Sequence, residues 1–284
     1  MSNKENIQEW TEVIEAKRSL LQINLKEIWR YRDLISLLVR RDFVANYKQT
    51  ILGPIWFFLQ PLFTTLMFTL LFARMGKLST DGLPPMLFYM CGITFWNYFA
   101  ECLKKNSTTF IDNQSVFGKV YFPRLVLPIS VSLSNTIRLG IQFLLFLATY
   151  LYFILNGSPI RVTSYVLLLP VNVLLLGLLS LGIGVLISSL TTKYRDLRFL
   201  IDFGVQLLMY ATVIFPASSY PEKYQWVAKV NPLIPLMETT KLGLLGAGSF
   251  DPQAYLGCVI VTIISLFTGV LVFNMTEQNF MDVV

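Results

Sequence analysis

Apolar residues along this chain gather into long runs separated by charges or by Pro and Gly clusters. Runs of about 18 residues predict membrane-crossing helices, because a β-barrel would show ten-residue alternation instead. Six spans emerge: about 51–72, 86–103, 124–155, 164–190, 199–215 and 255–273. The first carries Gly53-Pro54 in its opening turn and Gln60-Pro61 within it, where proline is expected to kink or break the helix. The third is longer than the roughly 30 Å apolar layer requires, which predicts tilt or projection beyond it. The fourth contains Gly177, Gly182 and Gly184, small residues that permit close helix approach.

The connections also carry pattern. Residues 1–23 form a polar leader with no cleavable signal, and 24–49 read as an amphipathic interface helix with Trp29 and Tyr31 as interfacial anchors. The stretch from Asn106 to Pro123 mixes Asp112, Asn113 and Lys119 with Val116, Phe117 and Phe122, which predicts a second, shorter amphipathic helix and a docking surface. Between spans five and six, 230–246 is too apolar for a solvated loop and too interrupted by Pro232, Pro235 and Gly243 for one span. Two short re-entrant helices reconcile these features, since broken backbone at membrane depth needs protein or water partners. The whole reads as an all-α integral membrane protein whose transmembrane domain covers 50–274, followed by a short tail, 275–284.

Composition agrees. Of 284 residues, 54% are hydrophobic and only 14% charged, against about 25% charged in a soluble domain. Sixteen of the 23 Lys and Arg fall in the leader, the interface helix and the connections after spans two and four, so the positive-inside rule places both termini in the cytoplasm. This distribution explains the net charge of +6 without a nucleic-acid partner. Histidine is absent, and Cys91, Cys102 and Cys258 lack the spacing of a disulfide framework or zinc site, which leaves them as packing residues. No phosphate-binding loop is present, so the chain has no visible nucleotide engine, catalytic set, cofactor or metal site of its own. Glu101, Arg138 and Asp202 lie in or near spans, where a charge needs a partner, a polar path or a substrate.

Several motifs carry a resemblance in their order and topological positions. Tyr47-Lys48 precedes Leu52-Gly53-Pro54-Ile55-Trp56 and Gln60-Pro61; Val120-Tyr121-Phe122-Pro123-Arg124, Lys193-Tyr194-Arg195-Asp196 and Asn231-Pro232-Leu233 follow. From about Leu25 onward the chain resembles the six-span permease subunits of type-2 ABC exporters for polysaccharides, including O-antigen, teichoic-acid and capsule exporters. The resemblance implies a homodimer paired with two copies of a separate ATPase, which would bind ATP and Mg, in a bacterial inner or plasma membrane. It implies a coupling helix at Asp112–Val120 that includes Asp112, Asn113 and Phe117, with a second ATPase contact at Tyr194, Arg195 and Asp196. Tyr121, Phe122, Pro123 and Arg124 would form the joint or gate, where a pyrophosphate-linked lipid head would meet Arg124. Trp56, Phe57, Tyr89, Trp96 and Tyr98 are the candidate glycan-channel aromatics. An exporter of a drug or simple lipid, a membrane-embedded glycosyltransferase or polymerase, and a passive channel are the alternatives.

Overall fold

The computed structural model describes residues 25–45, 48, 53–113, 122–194, 196–217, 220, 223 and 225–283. The leader, Phe117, Tyr121 and Arg195 therefore lie outside the described residues, as does most of the anticipated coupling segment. Every regular element among the described residues is helical.

The interface segment forms two helices, α1 (Leu25–Arg30) and α2 (Arg32–Ala45). They join at Tyr31, whose amide donates to the Glu27 and Ile28 carbonyls and whose carbonyl accepts from the Ile35 amide, so the chain bends little there. The first span opens with a 3-10 turn, Gly53–Ile55, runs as α3 (Trp56–Phe68) and finishes as a π-helical turn, Thr69–Met75. Pro61 does not break it. It sits in the second turn of α3 and costs only the one bond its amide would have made, while the neighbouring Gln60 carbonyl accepts from the Thr64 hydroxyl at 2.9 Å.

Next come α4 (Pro85–Ser107) and a single turn, α5 (Thr109–Asp112). Then α6 (Val126–Leu155) provides 30 residues, about 45 Å of helix at 1.5 Å per residue. A 3-10 turn, Ser164–Leu168, leads into α7 (Leu169–Thr191); α8 (Leu197–Met209) ends in a second π turn, Tyr210–Ile214. Two short helices, α9 (Gln225–Val230) and α10 (Leu233–Leu245), precede α11 (Pro252–Val283). That last helix runs through 275–283, so the anticipated tail is helical and continuous with the rest of α11 up to Val283.

Five helical stretches are long and apolar enough to cross a membrane: Gly53–Met75, Val126–Leu155, Ser164–Thr191, Leu197–Ile214 and Pro252–Thr276. Their outer faces are apolar and exposed, as at Leu144, Leu174, Phe203 and Ile263. The α4 helix differs. From Leu87 to Leu103 all of its residues except Asn97 and Glu101 are buried, and its neighbours are other helices. A helix surrounded by protein need not be uniformly apolar, and the polar end of α4, from Asn97 to Lys105, is the physical reason its mean hydropathy falls below that of the other five.

The core is built around α4, with Phe88, Phe95, Phe99, Phe146, Leu176 and Leu179 in one continuous cluster. The α7 and α11 helices approach closely because Gly182 and Gly269 face each other. A Cβ on Gly182 would stand 2.7 Å from the Leu266 amide nitrogen, and one on Gly269 would meet the Gly182 carbonyl oxygen.

Candidate functional site

One group of polar contacts lies at the end of the bundle that carries Lys104, Arg124 and Lys193. The Arg138 guanidinium on α6 donates to Glu101 on α4 at 3.0 Å and lies over the Phe57 ring at 5.1 Å. Phe57 in turn stacks on Phe43 of α2, with centroids 5.8 Å apart. One charge pair therefore ties α4 to α6 and, through an aromatic face, to α3 and α2. The Lys104 ammonium lies 3.2 Å from Asp202, joining α4 to α8. Both partners there are substantially exposed, so that pair is worth at most about 1 kcal/mol. The three intramembrane charges singled out from sequence thus each meet an opposite charge or an aromatic face on another helix, where desolvation is offset.

A second apolar cluster sits at the same end and is built from five separate elements. Leu38 of α2, Phe110 of α5, Phe122, Val126 and Leu127 at the start of α6, Val185 of α7 and Phe273 of α11 pack together. Phe110 and Phe273 stack at 4.4 Å. Polar bonds reinforce the cluster: the Phe110 amide donates to Ser188 Oγ at 3.3 Å, and the Thr191 hydroxyl donates to the Ser107 carbonyl at 2.8 Å. The connection after α4 is thereby fastened to the connection after α7. Asp112 accepts from the Thr108 hydroxyl at 2.6 Å, and the Asn113 side-chain amide donates to the Thr109 carbonyl at 3.0 Å, which finishes the α5 turn.

Phe122, Pro123 and Arg124 form the first turn leading into α6. The Pro123 carbonyl accepts from the Val126 amide at 2.9 Å and the Arg124 carbonyl from Leu127 at 3.2 Å. Proline suits this position because an amide there would have no helical partner. Across the same end, Tyr194 is exposed with the Lys193 ammonium over its ring at 5.3 Å, and exposed Asp196 begins α8. Asp112, Tyr194 and Asp196 thus stand on two connections hydrogen-bonded at their bases.

The five candidate channel aromatics separate into two groups. Tyr89, Trp96 and Tyr98 on α4 are buried within the bundle. Tyr89 packs edge-on against Phe68 and Phe88, Trp96 lies tilted against Phe99, and the Tyr98 hydroxyl lies 3.2 Å from the Thr136 hydroxyl oxygen. Trp56 is half exposed and Phe57 partly so, at the start of the first span.

At the opposite end lies an arrangement that sequence reading missed. Lys241 and Glu238, one turn apart on α10, form an ion pair at 3.2 Å with side chains only 2% and 6% exposed. The ammonium also sits 4.1 Å above the Phe88 ring, and the carboxylate accepts from the Ala217 amide at 3.4 Å. Nearby, Tyr220 donates to the Ala211 carbonyl, and burial together with the Glu238 charge pushes its phenol up. The Asn231-Pro232-Leu233 motif starts α10: Asn231 Oδ1 accepts from the Leu233 amide at 3.0 Å, while its Nδ2 donates to Thr212 at 2.9 Å. Gly246 ends the helix with φ +75, as a left-handed cap requires. The Glu238-x-x-Lys241 spacing was the available signal, although nothing local announces its burial.

Among the described residues no three His, Cys, Asp or Glu gather into a metal-holding group, and the three cysteines are free and buried. The arrangement is one of helices joined by charge pairs and an apolar knot at one end. Residues 33–245 match the family described as ABC-2 type transporter. The chain belongs to the ABC-2 type transporter family. Relatives of this ABC-2 chain include an O-antigen export system permease protein RfbA of Klebsiella pneumoniae, 25% identical over 254 residues that span 88% of this chain and 95% of the relative. A protein of the same name from Myxococcus xanthus is 24% identical across 91% and 98% of the two chains. The polysialic acid transport protein KpsM of Escherichia coli is 20% identical over 86% and 93%.

Proposed function

We propose that this ABC-2 chain is the permease subunit of an ATP-driven exporter that carries lipid-linked polysaccharide from the cytoplasmic face across a bacterial inner or plasma membrane. The observation that carries the reading is similarity along nearly the whole of both chains to permeases named for O-antigen export, with a polysialic acid transport protein as a further relative. A drug or simple-lipid exporter, a lipid-linked glycosyltransferase or polymerase, and a channel receive no comparable support. In this reading α4 is the sixth span, lined by protein rather than lipid; α1–α2 lies along the cytoplasmic interface; α9 and α10 are re-entrant from the outer side; and both termini are cytoplasmic.

Export requires that the energy of ATP binding on a separate subunit reach the helices. The ATPase supplies nucleotide and Mg chemistry; this chain supplies surfaces. Asp112, Asn113 and Phe117, with Tyr194, Arg195 and Asp196, are the proposed contacts. Thrust delivered there would pass to α2, α5, α6, α7 and α11 together, because the Phe110–Phe122–Phe273 knot joins them. Closure of two ATPases then favours one arrangement of the permease dimer over another, a differential stabilisation of two states. Arg124 at the joint and Trp56 and Phe57 at the first span are the proposed groups for the anionic lipid head and the sugar faces respectively.

Mass spectrometry of the complex purified from native membranes through a tag on this chain tests the reading. An ATPase recovered at one copy per permease, with lipid-linked glycan accumulating on depletion, is the expected outcome; an intact complex with no ATPase overturns it. Arg124→Glu is expected to reduce export at least about tenfold, on the scale of losing a charge-assisted contact, while membrane insertion and abundance remain normal. Normal export by that variant would remove Arg124 from the joint.

A further inference from the structure

The interface helix does not lie flush against the bundle. Between α1–α2 and the first half of α6 runs a groove of about 530 Å³, within the roughly 300–1,000 Å³ range of small-molecule sites. Ile28, Ile35 and Val39 form one wall, Ile129, Leu133 and Ile137 the other, with Trp29 and Arg32 at the rim. Its mouth is open: Trp29 is 70% exposed and Leu133 and Ile137 are 46% each. Leu133 and Ile137 also begin an exposed stripe that continues along one face of α6 through Leu144 and Leu151. The groove is therefore continuous with the lipid-facing surface of a membrane-crossing helix.

We propose that this groove binds an acidic phospholipid, with one acyl chain lying between Ile35 and Leu133 and the phosphate meeting Arg32. The floor offers only two hydroxyls, Ser36 and Thr136, and the latter already donates to the Ser132 carbonyl at 3.0 Å. An extended peptide laid there would leave its backbone unpaired, whereas a hydrocarbon chain loses nothing. The rim is cationic. Arg32 faces Asp33 only at a loose 3.9 Å, and the described residues of the 25–48 segment carry six Lys and Arg against three acids. A shorter groove of about 450 Å³ on α2 repeats the design, with Leu37 and Val44 beneath Arg40, Arg41 and Lys48. A second copy of this chain docked here through its own basic helix would set like charges together, which disfavours that occupant. An acidic headgroup complements them. The placement in the cytoplasmic leaflet rests on the topology proposed above, while the site itself does not.

The full chain reconstituted in vesicles tests this, with Trp29 emission taken as the difference between the protein and its Trp29→Phe variant. Vesicles contain either bromine-labelled phosphatidylglycerol in plain phosphatidylcholine, or the reverse labelling at equal mole fraction, in both leaflets, so orientation does not matter. Quenching about fivefold more effective with labelled phosphatidylglycerol is expected, the preference one cation gives near an acidic headgroup. Arg32→Gln abolishes the preference, Arg32→Lys retains most of it, and the groove-filling Leu133→Phe weakens quenching by both lipids. Equal quenching by the two lipids, or a preference unchanged in Arg32→Gln, overturns the proposal. Absence of quenching by either also overturns it. Since no ATPase enters this experiment, its outcome is independent of partner recovery and fails separately from the exporter reading.

Discussion

Replacing Lys241 by methionine is expected to destabilise the fold by about 3–5 kcal/mol, the usual consequence of removing one partner from a buried ion pair. Methionine keeps much of the volume, so the loss is not a cavity. It arises because the Glu238 carboxylate, 6% exposed, would retain, among the described residues, just the 3.4 Å bond from the Ala217 amide. The Phe88 face beneath Lys241 would also lose its cation, worth up to about 2 kcal/mol when desolvated and overlapping with the pair itself. Removing both charges together, Glu238→Gln with Lys241→Met, is expected to recover most of the stability, because a buried pair replaced as a unit is often close to neutral. Thermal unfolding in detergent, read for both single variants and the double, measures the coupling. A double variant as unstable as the sum of the singles would show that the pair contributes through packing alone.

Gly269→Val is expected to be nearly as damaging for an unrelated reason. The Gly269 and Gly182 backbones are in contact across α11 and α7, so any side chain there forces the helices apart. The general cost of overpacking is about 1–3 kcal/mol, and the upper end applies where the obstacle is backbone and no rotamer change relieves it. Gly269→Ala should already lower the melting temperature, and Gly269→Val should lower it further and reduce the yield of folded protein. By contrast, Gly140→Ala, on an exposed part of α6 with open space around its Cβ position, should be neutral or slightly stabilising. Equal stability of the two Gly269 variants would mean the contact is not tight.

Much of this architecture is written in the chain itself because lipid imposes a simple requirement on the helices that face it. Helices exposed to hydrocarbon must be apolar throughout, and the long runs at 164–190 and 255–273 announce themselves. The break at Asn231-Pro232 was legible for the same reason that it works: Pro232 has no amide to extend the ladder of α9, and the Asn231 side chain supplies replacement bonds. Partnerships over long sequence distances were not legible. Glu101 and Arg138 each demand a counter-charge by position, yet only the packing of α4 on α6 makes them partners. Lys241 reads as one more cation in an outer connection until α10 folds onto Phe88, more than 150 positions earlier. The α4 aromatics present the converse: ring faces suited to sugars, here filled by other side chains of the same chain.

The burial of α4 also bears on how the protein is made. As the chain leaves the ribosome, each hydrophobic segment exchanges the insertion channel for surrounding lipid according to its own transfer free energy. Segments such as Ser164–Thr191 settle there unaided, whereas α4, with Asn97, Glu101, Lys104 and Lys105 along its final turns, gains least from the exchange. Its polar end finds relief in Arg138 and Asp202, which are synthesised later. If α4 is the sixth span, as proposed above, nascent α4 is expected to wait beside the channel or at the lipid boundary until 138–202 has emerged, which makes the centre of the finished bundle one of the last parts to be secured.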